Sequence, residues 1–129
     1  MRDYQPHANN PYWLPQTLYR RTLALIRDYD RMVEQHENIP EETKPSGQGS
    51  GSGTGDRTGS RGVRSAAISL DIDAIDRARL MVPEEYQDGV WNAVQYGARY
   101  PDNADRTTYS RHKSRFIYYT ALYKGWIFE

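Results

Sequence analysis

Four cations, Arg106, Arg111, Lys113 and Arg115, fall within the ten residues 106–115, which contain no acid. Thr107, Ser110 and Ser114 are interleaved with them, and Phe116, Tyr118, Tyr119, Tyr123 and Trp126 follow closely. Guanidinium groups can pair bidentately with phosphate or with guanine O6/N7, and hydroxyls can donate to phosphate oxygens. This combination can therefore meet a nucleic acid. The bland alternative is a solvated helix face, since the same charges would also keep an exposed surface wet.

Other chemistry is thinly represented. There is no cysteine, which excludes disulfides, thiolate zinc sites and cysteine nucleophiles. No Walker loop, dinucleotide fingerprint, Gly-x-Ser-x-Gly elbow or His-Glu-x-x-His is present. Gly51, Gly53 and Gly55 alternate, but no apolar strand leads into them and no Gly-Lys-Ser/Thr follows. His36 stands near Glu34 and Glu37, where helix-surface polarity is explanation enough. Asp71, Asp73 and Asp76 lack the glycine and terminal glutamate of an EF-hand loop and read as solvated charges or partners of Arg77 and Arg79. His112 falls on an aromatic side of its helix and reads as a packed histidine. No catalytic residue, metal ligand or cofactor is assigned.

These residues need elements to position them. In 129 residues, 37% are hydrophobic and the mean hydropathy is −0.92, both low for a globular chain. Eleven Tyr and three Trp supply apolar area that partly compensates. That suits one modest core, which a partner or a second copy could complete. Seventeen basic and seventeen acidic residues cancel, so attraction to polyanions must come from local charge. No apolar run resembles a signal peptide or reaches membrane-spanning length. The expectation is a cytoplasmic protein with no membrane partner.

Hydrophobic periodicity predicts an all-α fold of about four helices. Residues 1–44 hold an N-terminal arm, through Leu14, and a long helix over 15–37. Pro15 suits the first turn of that helix, and Asn38 and Pro40 are expected to end it. Residues 45–62 contain seven of the ten glycines and read as a flexible linker. Residues 63–129 supply a helix over 63–81, one from Pro83 that stops before Pro101, and one over 106–124. "ISLDID" alternates with period two and offers a short strand as the competitor at 68–73. Asp105 is placed to cap the last helix at its start and Gly125 at its end.

Projected at 100° per residue, 106–124 separates Tyr109, His112, Phe116, Tyr119, Thr120 and Tyr123 from Thr107, Ser110, Arg111, Ser114, Arg115 and Tyr118. On this projection Thr107, Ser110, Arg111, Ser114 and Arg115 face a duplex, with Arg106 and Lys113 contacting the phosphate backbone.

"LIRDYDRM", the glycine-rich "GDRTG" and "RHKSRFIYY…GWI", in that order along nearly the whole chain, resemble small phage and prophage proteins of the RinA/ArpU-type late transcriptional regulators. The resemblance implies a helical regulator whose C-terminal part is similar to region 4 of sigma factors, a helix-turn-helix on promoter DNA. Arg106 to Arg115 would then begin the recognition helix. "ARYPDNAD" stands where a short positioning helix is usual, which is a departure from that pattern. The expected partner is double-stranded DNA, with RNA polymerase or a second copy as further candidates. The leading alternative is a non-enzymatic helical module that binds a host or phage protein, including transcription machinery or a defence system. A small hydrolase ranks last.

Overall fold

A computed structural model describes residue 5, residues 10–43 and residues 55–128, with the side chains of 38–43 and 55–65 outside the description. The described residues form five helices and no strand: α1 Gln16–Arg27, α2 Tyr29–Thr43, α3 Gly55–Arg79, α4 Glu84–Tyr96 and α5 Arg106–Tyr123. The fold is all-α.

The long helix expected over 15–37 is broken at Asp28. Asp28 ends α1 in a tightened turn, its amide donating to the Leu25 carbonyl at 3.1 Å. Its carboxylate accepts from Arg31 Nε at 2.6 Å and from a terminal guanidinium nitrogen at 2.5 Å. The break aims Tyr29 at the ring of Trp91, with centroids 4.9 Å apart, and at Asp76, to which its hydroxyl donates at 2.8 Å. At its far end α2 continues through Pro40 to Thr43, past the expected stop.

The glycine-rich segment also departs from expectation. Residues 55–62 are the first two turns of α3, not linker, while 45–54 lie outside the described residues. Glycine weakens a helix, yet α3 packs against both α2 and α5, and tertiary packing routinely overrides propensity. Residues 68–73 are helical, so the strand alternative is set aside.

One core joins all parts. Leu14, Tyr19, Leu23, Ile26 and Met32 are buried with Ile75, Ala78, Val82, Val90, Val94, Tyr109, Phe116, Ile117 and Ala121. Helix α5 is its hub, in contact with α1, α3 and α4. Between α1 and α4, Arg27 Nε donates to the Val94 carbonyl at 2.9 Å and the Gln95 amide donates to the Ile26 carbonyl.

Both ends of the C-terminal helices follow local chemistry. Pro83 precedes α4, and Glu84 and Glu85 occupy the positive end of its dipole. Gly97, in the left-handed region at φ 68°, stops α4 before Pro101 is reached. Asp105 stands at the start of α5 with extended backbone, although its side chain makes no capping bond. At the other end Gly125 (φ 76°) donates to Leu122 and Trp126 donates to Ala121, the Schellman pattern.

Candidate nucleic-acid interface

The surface in question is α5, and its burial divides it in two. Tyr109, Lys113, Ser114, Phe116, Ile117, Thr120 and Ala121 are buried. At 100° per residue they cover an arc of roughly 160°. Within α5 the exposed residues are Arg106, Thr107 and Arg111, all in its first two turns and all bearing donors. Ser110, half-exposed, lies between them.

The first turns are held outward by aromatic packing beneath them. Tyr109 meets Tyr86 edge-on at 5.3 Å and stacks on Tyr100 at 5.1 Å, and its hydroxyl donates to Asn103. Gly89 makes this possible, because a Cβ there would stand 2.6 Å from Tyr109 Cε1 and 2.7 Å from Pro101 Cδ. Thus α4, the 97–105 connection and the start of α5 form one packed corner. Burial pushes the Tyr100 hydroxyl up to about 12, so it stays protonated through the neutral range.

His112 stacks on Tyr86 with centroids 4.7 Å apart and rings 20° from parallel. Its pKa is lowered below the usual 6.5, first by burial and then by the positive charges of Arg115 and Arg111, against a smaller opposing pull from Glu85. Its Nδ1 is buried and has no hydrogen-bond partner. It is a packed, neutral ring.

Three residues expected at the interface are placed elsewhere. Lys113 and Ser114 are each only 3% exposed, and Arg115 is half-buried. Lys113 stands four residues from both Tyr109 and Ile117, so it belongs to the core stripe rather than to a phosphate-facing edge. Ser114 stands at the edge of the buried arc and Arg115 beyond it, and both meet the arm. Asn10 Nδ2 donates to Ser114 Oγ at 3.5 Å, and a terminal guanidinium nitrogen of Arg115 donates to the Tyr12 hydroxyl at 3.3 Å. The Arg115 guanidinium also lies 5.7 Å from the ring centroids of both Tyr12 and Tyr119. A projection of α5 alone carries no signal for this cover, because the covering residues lie about a hundred positions away.

The described part of the arm, Gln5 and residues 10–14, is held by local bonds. Asn10 accepts from the Tyr12 amide through its side chain at 3.0 Å and from the Trp13 amide through its carbonyl at 3.2 Å. Gln5 receives the Leu14 amide at 3.0 Å and returns a bond to the Leu14 carbonyl, and Leu14 is buried. Tyr12 then meets Tyr118 edge-on at 5.5 Å and Tyr119 at 6.1 Å. Contacts of these kinds contribute about 0.5–1.5 kcal/mol apiece. Arg115 Nε remains buried without a partner, a cost of about 1–3 kcal/mol in the opposite direction.

Three further arginines sit over aromatic rings. Arg21 sits 3.8 Å over the Trp126 ring, Arg77 4.2 Å over Tyr123 and Arg79 4.7 Å over Trp91. Arg79 also pairs with Asp88 at 2.9 Å. The acids near them have partners that spacing alone did not suggest, since Asp71 pairs with Lys124 and Asp76 accepts from Tyr29. Among the described residues no three His, Asp or Glu side chains form a group that could hold a metal. No helix there is long and apolar enough to cross a membrane. Set against known protein families, curated proteins and solved structures, the chain matches none.

Proposed function

We propose that this protein is a DNA-binding transcriptional regulator of phage origin that meets the duplex with the first two turns of α5. The observation that supports this reading most is that every exposed residue of α5, Arg106, Thr107 and Arg111, carries a donor suited to phosphate or a base edge. Ser110 completes the contact, and Arg99, exposed in the preceding connection, adds charge on the same approach. Helix α4 takes the first place of the helix-turn-helix-like pair. Its nine-residue connection to α5, 97–105, is longer than the usual three- or four-residue turn. Lys113, Ser114 and Arg115 take no part while the arm is seated.

With few arginines available and no net charge, affinity is modest and its salt dependence shallow, about −0.9 in log–log slope per phosphate neutralised. The test is titration of a labelled duplex from the region upstream of the gene, at low and physiological salt. Arg106→Ala combined with Arg111→Ala should weaken binding about thirtyfold or more, at roughly 1–3 kcal/mol for a strong guanidinium contact. Equal binding by wild type and double variant would sink the assignment.

A second reading has its own support. Glu84 and Glu85 are exposed at the start of α4, beside the Tyr86–His112 stack, and would repel a phosphate chain approaching too closely. Leu80 and Tyr96 are 74% and 64% exposed. These features suit a non-enzymatic module that binds a protein, such as RNA polymerase or a second copy. A protein partner would be released by substitutions at Leu80 or Tyr96, which leave duplex binding untouched.

A further inference from the structure

We propose that Ser114 and Arg115 form a second phosphate contact, closed in this structure by Tyr12 of the N-terminal arm. This rests on the reading of α5 as the duplex-facing helix and adds the means by which that face is regulated. Ser114 and Arg115 follow Ser110 and Arg111 at four-residue spacing, so they continue the donor-bearing line of the first turns. What covers them is polar where it touches them: a tyrosine hydroxyl at 3.3 Å and an amide at 3.5 Å, both near the outer limit for such bonds.

The covered guanidinium is only partly satisfied. Arg115 has no carboxylate partner among the described residues, its single hydrogen bond goes to a neutral hydroxyl, and its Nε is buried with no acceptor. A phosphate would offer two acceptor oxygens in the geometry a guanidinium fork prefers. The arm is fixed at Leu14, which is buried and clipped on both sides by Gln5, while Tyr12 stays half-exposed. Rotation about the Asn10–Trp13 turn can therefore lift Tyr12 and leave the core seat of Leu14 intact. A duplex then competes with Tyr12 for Arg115.

Closure lowers apparent affinity by the fraction of molecules that are open. The test follows the Arg115 Nε–Hε resonance, identified by its loss in Arg115→Lys, while inorganic phosphate is added to the full chain. In Tyr12→Ala the midpoint should fall about tenfold relative to wild type, as an open fraction of about one tenth would give. Tyr12→Phe keeps the ring and loses the hydroxyl, so it should shift the midpoint by less in the same direction. It also serves if Tyr12→Ala does not fold. Duplex binding by Tyr12→Ala should tighten correspondingly. Equal midpoints in wild type and both variants, or a resonance that phosphate never moves, would overturn the proposal. Lowered midpoints without duplex binding by any form would sustain the phosphate contact and remove the DNA reading. Equal midpoints with duplex binding that still depends on Arg106 and Arg111 would remove the lid and keep that reading.

Discussion

Two neighbouring polar stretches of α5 meet opposite fates. Arg106, Thr107, Ser110 and Arg111 lie at or near solvent, whereas Lys113, Ser114 and Arg115, equally polar, are buried or half-buried. Residue type does not make the difference. The first turns pack on one side only, against α4 and the 97–105 connection, and leave the other side open. From Lys113 onward α1, α3 and the arm close in as well. A basic run is therefore a surface only as far as its neighbours allow, and with the arm seated its usable part ends near Arg111.

Substitutions can separate the halves. Phe116 anchors the second half at 1% exposure against Trp91, so Phe116→Ala should cost about 3–5 kcal/mol of stability in denaturant unfolding. A value typical of an exposed site would break the distinction. The corner that orients the first half is sensitive to a single methyl group. Gly89→Ala gains helix propensity of up to about 1 kcal/mol, but its Cβ would collide with a Tyr109 ring fixed between Tyr86 and Tyr100. Overpacking of this kind costs about 1–3 kcal/mol, so a net loss is expected and a gain would contradict the packing.

The smallest effect is a pH dependence at the junction of the halves. The pKa of His112 is lowered in the folded state, so the unfolded chain binds the proton more readily. Stability is then unaffected well above 6.5 and declines as pH falls through 6.5 toward the depressed folded value. Thermal unfolding across that window should show the decline in wild type and its absence in His112→Phe. Asp28 acts in a separate range. Its carboxyl is held below 3.8 chiefly by the hydrogen bond from Arg31, so its contribution is present above 3.8 and lost only in stronger acid.

How much was legible follows from the range of each cause. Pro83 before two glutamates, Asp105 before α5 and Gly125 after it are local signals, and the helix ends lie where those residues stand. The all-α architecture is likewise written in the periodicity. The break at Asp28 is less visible, because its carboxylate could equally have pointed to solvent on an unbroken helix. The helical start at Gly55 runs against the local propensity of its glycines, so composition pointed the other way. The burial of Lys113 was readable in part from its spacing to Tyr109 and Ile117. The cover over Ser114 and Arg115 was not, since nothing near residue 114 signals Asn10 or Tyr12.

The central claim is that the working surface is the first half of α5 and that the second half is its anchor. Mapping backbone amide shifts of the full chain as a short duplex is added at low salt tests this most directly. Changes should concentrate on Arg106, Thr107, Ser110 and Arg111, and spread to Asn10, Tyr12 and Ser114 as the arm is displaced. Changes confined to α2 and α3, or none at stoichiometric duplex, would contradict it.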